Sequence, residues 1–538
     1  MSNKTSVQSK PKLKPLSFDT TIRNPERLPS FLKCIVPFEG KVLTNEVIHE
    51  IIKTVLKNKI YCTEYQKQIH ELINIFKSEE DVYSDSQLEE IIKNAPQKHK
   101  VAGFVYGWPS RFDTWYKLSK ELGFIDYSFE EPIHISQTGH MLVEAYNENP
   151  INTVKIQKLY LNAFMKYQRK IPYRRVLNDN VPLSLLLRVC KIINKSSHSS
   201  KCGVHILEIP FFLCWPNNDE KGLANYILDF RKNHSFGQYS SEIVYKKCLD
   251  MLQSKNENYF KQSKICGESI DDYIRKMRMT GLISIRGNGR FVDLNSLEKD
   301  TIDYVIQNYS ETKSFNDESS YFNYMGQIDE NVLKFSQSES VISKNHIRKI
   351  ALEKYAKSYS KEEILSELRL LKQNKNSKDE LLKLISGPTR LEFLTSIALV
   401  QNFYGLDVNP NYSVDDEGVP TFTAGGGMAD IVRYDSDYDS YFEVTLMKGR
   451  TEQICNEMIP ICRHLKEAKE NVRKESFSVF VAPVVHSDVY EYIDWKKAKD
   501  GLDLVAYDID EFVNKISKIS KASALLNKVT FTRKQVKR

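Results

Sequence analysis

A chain of 538 residues with 41% hydrophobic and 11% aromatic residues is too long for one core and too apolar to be disordered, so several packed domains are expected. Its net charge of +7, spread over that length, does not by itself require a polyanion. Nine cysteines without a CxxC pair, eleven histidines without an HExxH pattern and no apolar run of about 18 residues argue against a disulfide framework, a structural zinc site and a membrane-spanning helix. The polar, basic start MSNKTSVQSKPKLKPLSF has no apolar core, and a soluble, cytoplasmic protein is expected.

Residues 1–30 hold six Lys or Arg against two acids and several prolines, the composition of a flexible basic arm. A first recognition subdomain is expected over 31–150. Its apolar spacing is helical from Val42 to Lys77, and Arg111–Leu122 reads as a helix closed by Gly123. Phe124–Leu142 alternates as two short strands around Glu130-Glu131-Pro132. A helix followed by a β-ribbon is the outline of a winged helix.

A second recognition subdomain is expected over 151–320, opening on the most basic segment of the chain. Lys155, Lys158, Lys166, Arg169, Lys170, Arg174 and Arg175 occur with no acid from Lys155 to Asn178, and Tyr160, Phe164, Tyr167 and Tyr173 are interleaved. Such a segment is either a phosphate-contacting surface or a solvated helix face whose aromatics lie in the core; the absence of mixed charge favours the first. The apolar run Val204–Trp215 reads as a buried strand or core segment. Glu268–Thr280 is then helical, Gly281 ends it, and Leu282–Leu294 forms a hairpin turning at Gly287-Asn288-Gly289, a second winged-helix outline. It carries Arg275, Lys276, Arg278, Arg286 and Arg290 with no acid from Tyr273 to Arg290, a charge suited to a DNA groove, although winged helices also mediate protein contacts. Arg275 and Arg278 are candidate guanine readers, with phosphate contact equally open.

Polar composition around Ser310–Ser338 marks a boundary, and 321–386 reads as a helical linker. From 387 to 538 the order is helix, strand, strand, helix, strand, helix, strand, a mixed sheet with helices on both faces. Gly387-Pro388-Thr389-Arg390 opens the first helix, with Glu392 in its first turn. Met428–Arg433 and Tyr441–Met447 read as neighbouring strands carrying Asp430 and Glu443, thirteen residues apart. At about 3.3 Å per residue that length runs out, turns and returns, so both carboxylates can meet at one sheet edge. With a backbone carbonyl between them they make the oxygen-rich, partly hydrated site that Mg²⁺ prefers. Alternation puts Glu443 and Thr445 on one face. Glu457 and His464, seven apart on the next helix, point the same way and can return to the pair. Gly425-Gly426-Gly427 lacks the Lys-Ser/Thr of a phosphate loop and instead lets a DNA strand or another backbone come close.

The strings TRLEFLTSIALVQ, PTFTAGGGMADI, FEVTLMKGR and NEMIPICRHL together resemble the cleavage domain of the AlwI family of type IIS restriction endonucleases and their nicking relatives, a variant of the PD-(D/E)xK nuclease fold. The likeness is close over residues 386–486, and the two winged-helix outlines are similar to the recognition region of the same enzymes. The resemblance implies that Asp430 and Glu443 bind metal, that the Val444 carbonyl completes the site, and that Glu392, Glu457 and His464 belong to it. One position departs from the general pattern. Thr445 stands where a lysine is expected and cannot supply positive charge, which leaves a second metal, Lys448 or His464 to compensate, the second metal being preferred.

The resemblance therefore implies a multidomain α+β protein: a mainly helical recognition region with two winged-helix-like units, a helical linker, and a C-terminal α/β PD-(D/E)xK-like nuclease domain with a mixed sheet. It implies a Mg²⁺-dependent type IIS enzyme that binds a short asymmetric duplex DNA sequence and cuts a few base pairs outside it. Alternatives are a strand-specific nicking endonuclease, the large subunit of a heterodimeric enzyme, and a winged-helix DNA-binding regulator. Implied partners are double-stranded DNA, a transient dimer or small second subunit for second-strand cleavage, and a cognate DNA methyltransferase in the same restriction-modification system.

Overall fold

The structure, a computed structural model, describes residues 12–18, 22, 25–77, 81–148, 151–174, 176–196, 203–234, 239–334, 341–403, 407–425, 428–435, 438–450, 452–471 and 475–526. It is a helix-rich α+β protein whose chain divides into two units. One comprises Met1–Tyr61, Ile92–Tyr146 and Lys155–Ser336; the other Cys62–Ile91, Asn147–Val154 and Gln337–Arg538.

In the first unit, helix α1 (Trp108–Glu121) leads through Gly123, at φ +73°, into the antiparallel strands β1 (Ile125–Asp126) and β2 (His134–Ile135). The second strand ends far earlier than the alternation predicts. Ser136 caps a new helix, α2 (Gln137–Asn147), by accepting the Gly139 amide at 3.1 Å, and Thr138, Leu142 and Ala145 form its buried stripe. Helix α3 (Thr153–Lys166) follows, then strand β3 (Val204–His205). Only those first two residues of the Val204–Trp215 run are extended. With Pro210 at its start, Ile209–Cys214 turns into a fully buried helix.

Helix α4 (Ser269–Arg278) and strands β4 (Ile283–Arg286) and β5 (Phe291–Leu294) match the second helix-and-hairpin expectation, and β3 adds a third strand in the order β3-β5-β4. Gly287, Asn288 and Gly289 all take positive φ, a turn that requires these residue types. The expected free arm is corrected for residues 12–18. Leu16 and Phe18 are buried, and the Leu16 amide bonds the Leu213 carbonyl, because two apolar anchors outweigh the polar surroundings.

In the second unit, helices α5 (Val341–Ser358) and α6 (Lys361–Lys372) pack on the buried helix α7 (Gly387–Asn402), so residues 341–386 of the segment read as a linker are built into this body, while its first part, with Tyr321 and Met325 buried, belongs to the first unit. The Gln401 amide ties α7 to the Ala356 and Tyr359 carbonyls. A five-stranded sheet follows, from β6 (Asp407–Pro410), β9 (Ile431–Tyr434), β10 (Tyr438–Val444), β11 (Glu475–Ala482) and β12 (Asp503–Asp508), ordered β12-β11-β10-β9-β6. A separate ribbon is made by β7 (Ser413–Val414) and β8 (Pro420–Phe422). Strands β10, β11 and β12 run parallel, while β9 is antiparallel to both of its neighbours.

Helices α8 (Ile459–Asn471) and α9 (Ser487–Asp500) cover one face through Ile461, Leu465, Phe480, Val489, Ile493 and Leu504, with Tyr441 packed alongside. Helix α10 (Ile509–Ile516) meets the other face, where the rings of Phe512 and Phe442 stand 6.4 Å apart. Alternation along β10 therefore sends Glu443, like Tyr441, toward α8.

Candidate active site

The β9–β10 register pairs Ile431 with Phe442, so one step further Asp430 lies opposite Glu443. The strands are shifted from their predicted limits: β9 begins just after Asp430, and β10 starts at Tyr438 and ends at Val444. Both carboxylates thus stand at the same end of the sheet. Asp430 is held twice. Its Oδ2 accepts the Val444 amide at 2.8 Å, and its own carbonyl accepts the Asn411 amide at 2.8 Å. Glu392, on α7, is 3% exposed and accepts the Ala424 amide at 2.9 Å, fixing the segment that leads to Asp430.

These carboxylates sense one another. Burial, then Asp430, Glu443 and Glu457, hold Glu392 well above the usual carboxylate range. Burial and then Glu443 do the same to Asp430, and burial and then Glu457 to Glu443, each partly offset by a backbone amide. No lysine or arginine among the described residues pairs with Glu392, Asp430 or Glu443. Four acids so placed have a chemistry that fits a divalent cation, which would replace their mutual repulsion by attraction. Among the described residues no three His, Cys, Asp or Glu side chains enclose an ion by themselves, so the fitting set is open: two carboxylates, a carbonyl and water.

His464 projects from α8 so that its Nδ1 stands 3.0 Å from Glu443 Oε1, while its Nε2 is buried and has no partner among the described residues. Burial, and then Arg463, hold its pKa below the ordinary value. The ring borders a groove of about 580 Å³ also lined by Asn411, Ala429, Tyr441 and Arg348. Thr445 lies beyond the end of β10. Its amide bonds the Val481 carbonyl, and its hydroxyl accepts the Met447 amide at 3.1 Å, so it shapes the strand exit. Lys448 is exposed.

Two positioning residues carry no signal in the sequence. Gln453 is fully buried; its amide nitrogen reaches the Met447 and Val484 carbonyls at 3.1 and 2.7 Å, and its oxygen accepts the His486 amide at 3.0 Å. Asn411 lies beside an edge strand that pattern alone does not reveal, and its side chain bonds the Ala429 carbonyl at 2.6 Å.

The basic candidates separate by burial. Lys166 points inward to the Tyr324 and Gln327 carbonyls, and burial pushes its pKa down to about 8. Arg169, 3% exposed, bonds the Leu213 and Lys14 carbonyls, and burial lowers it to about 10. Arg174 pairs with the buried Glu121. Lys158 bonds the Leu333 carbonyl, and Lys155 stands 3.7 Å from Glu144. The segment therefore does not display a continuous row of cations, because its tyrosines and phenylalanine draw the helix into the core; Lys170 is exposed, and Arg175 lies outside the described residues. On α4 and its hairpin, Lys276 pairs with Asp272 and Arg286 with Asp293, Arg278 is buried, Arg275 is half-buried, and Arg290 is exposed at the turn.

Among solved structures, the chain is similar to the small subunit R.BspD6I2 of the heterodimeric restriction endonuclease R.BspD6I, with 20% identity over 29% of this chain and 76% of that one and a TM-score of 0.25. It is similar to the restriction endonuclease FokI, with 12% identity over 95% and 96% and a TM-score of 0.26, and to FokI bound to DNA, with 12% identity over 96% and 98% and a TM-score of 0.24. Scores of this size carry no argument about fold or function. No curated protein matches the chain. The family described as AlwI restriction endonuclease matches residues 120–351 and 337–515, more than half of the length. The chain belongs to the AlwI restriction endonuclease family and is a site-specific deoxyribonuclease.

Proposed function

We propose that the protein is a Mg²⁺-dependent type IIS restriction endonuclease: it binds a short asymmetric duplex sequence and hydrolyses phosphodiester bonds a few base pairs outside it, using a PD-(D/E)xK-type centre. The observation that carries this reading is the meeting of Asp430 and Glu443 on neighbouring strands with Glu392 behind them and, among the described residues, no lysine or arginine bonded to the three. Asp430, Glu443 and the Val444 carbonyl would hold Mg²⁺, which when bound supplies the Lewis acidity and the positive charge that Thr445 cannot.

The chain's own groups do the rest. Glu392 holds the Ala424 amide and keeps the approach to Asp430 in place. His464, neutral because burial lowers its pKa, donates from Nδ1 to Glu443 and keeps its buried Nε2 as the ring's acceptor for a proton. Lys170, Arg275 and Arg290 are the proposed DNA contacts that keep some exposure, in a region we read as two winged-helix-like units.

The test is incubation of supercoiled plasmid with the purified protein and Mg²⁺, alongside Asp430→Ala and Glu443→Ala. Wild type cuts, both variants are inactive, and both still bind DNA in Ca²⁺. Undiminished cutting by either variant removes the proposed centre. Sequencing the cut ends gives the recognition site and the cut distance.

A further inference from the structure

The loop that leads into α1 is braced by its own hydrogen bonds. From Ile92 to Phe112 the chain carries Lys93, Lys98, Lys100 and Arg111 and no acid. The Val101 amide donates to Ser110 Oγ at 3.1 Å, and the Ser110 hydroxyl and amide both donate to the Val105 carbonyl, at 2.8 and 3.1 Å. The Gly107 amide closes the loop on the His99 carbonyl at 3.0 Å. Gly103 and Gly107 stand at φ +86° and +100°, so both bends need glycine. Phe104 turns inward, its ring 6.2, 6.3 and 6.3 Å from those of Phe112, Tyr127 and Phe129.

The next two residues do the opposite. Val105 and Tyr106 are 55% and 60% exposed, side by side at the tip, and the Tyr106 side chain meets no ring or hydrogen-bond partner among the described residues. A lone exposed apolar residue needs no explanation; an adjacent pair lifted out by a loop that buries Phe104 does. Arg111 braces the loop, donating to His99 Nε2 at 2.9 Å and to the Tyr61 hydroxyl at 3.0 Å. Lys98 and Lys100, on either side of His99, are exposed and make no ion pair among the described residues. The bond between Gly107 and His99 sets them at the foot of the loop, beside Tyr106. An apolar tip above lysines, in a segment without acids, suits a polyanion that also offers apolar surface. Duplex DNA does both, with phosphates for the lysines and base edges and thymine methyls for the tip.

We infer that the Val105-Tyr106 tip enters a groove of duplex DNA, where Tyr106 reads a base step while Lys98 and Lys100 hold the flanking phosphates. The inference rests on the reading of the protein as an enzyme that binds a short duplex sequence. The loop lies outside residues 120–351 and 337–515, which the family matches, so the contact is assigned from this chain's own structure. Bracing serves the contact directly. A loop already fixed loses little conformational freedom when its ring meets the bases, and a tyrosine has only two torsions of its own to order.

Fluorescence anisotropy of the full chain in Ca²⁺ tests it, on the duplex defined by sequencing the cut ends of plasmid and on a duplex with that sequence scrambled. Tyr106→Ala is expected to weaken binding of the first duplex about tenfold, with the scrambled duplex and the salt slope unchanged. Tyr106→Phe, which keeps the ring, should bind as wild type does. The double variant Lys98→Ala/Lys100→Ala should lower the salt slope by about two on both duplexes. All three side chains are exposed, so the Tm of each variant should match that of wild type. Wild-type affinity of Tyr106→Ala for the first duplex, an equal loss on both duplexes, or an unaltered salt slope in the lysine variant overturns the inference. The wild type's own preference is a separate readout. Its absence removes sequence-specific binding and the loop's role with it, whereas a preference kept in full by Tyr106→Ala removes the loop's role alone.

Discussion

His464 Nδ1 and Glu443 Oε1 stand 3.0 Å apart, joined across the top of the sheet by two elements that are consecutive in the chain. The contact orients the ring and leaves Nε2 buried with no partner among the described residues, which separates two roles that one substitution can divide. His464→Ala should lower the cleavage rate by about 10²–10⁴, the usual worth of positioned proton transfer. His464→Asn can still bond Glu443 but lacks Nε2. If Asn restores wild-type rates, the ring only positions Glu443; rates as low as those of Ala assign the chemistry to Nε2.

The crowding of Glu392, Asp430 and Glu443 has a cost in the metal-free protein. Burial first, then Asp430 and Glu443, hold Glu392 above the usual carboxylate range, so removing the Asp430 charge should relieve Glu392. Asp430→Asn, which can still accept the Val444 amide, is expected to raise the metal-free Tm by about 2–4 °C while abolishing cleavage. Divalent cation should raise the Tm of wild type and not of the variant. A fall in the variant's metal-free Tm in calorimetry would show that the repulsion is not there.

Lys166 distinguishes a structural cation from a DNA contact. Its folded pKa of about 8 lies below the unfolded value near 10.5, so between those pH values the unfolded chain binds more protons and this group's contribution to stability rises with pH. Denaturant titrations of wild type and Lys166→Met should show the wild type gaining relative to the variant from pH 8 to 10.5. The salt dependence of DNA binding should be the same for both. A shallower salt slope in the variant would return Lys166 to the DNA surface.

Exposed cations should behave in the opposite way. Lys170→Ala and Arg290→Ala are expected to leave stability unchanged and each to reduce the slope of log Kd against log salt by about one. Fluorescence anisotropy at four salt concentrations measures it, and an unaltered slope for both excludes them as phosphate contacts.

Gln453→Leu removes three hydrogen bonds at the start of the helical segment that carries Glu457 and His464. Losing these part-buried bonds should destabilise the protein by about 2 kcal/mol. An undisturbed midpoint in urea would mean that water replaces the side chain.

Asp430 and Glu443 were legible because an acid at the end of a strand with apolar neighbours stands out, and that contrast survives in one dimension. The Gly-Asn-Gly turn was legible for a similar reason, since three successive positive φ angles leave few choices. Burial of long cations was not. Lys166 and Arg169 look the same in sequence whether they face phosphate or a main-chain carbonyl, and only the packing of Tyr160, Phe164 and Tyr167 decides it. Gln137–Asn147 was misread because Ser136 caps a helix at the point where alternation still fits. Strand β6, reading Asp-Val-Asn-Pro, has no strand-forming composition and exists because β9 offers it a free edge.

That outer strand has an effect on assembly. Pro410 has no amide hydrogen to offer, and the Arg348 guanidinium occupies the carbonyls of Pro410 and Tyr412 at 2.5 and 3.0 Å. At this margin two carbonyls are occupied and one amide is missing, which hinders another strand from pairing there. The edge next to the Asn411–Asp430 contact is thereby also less open to association.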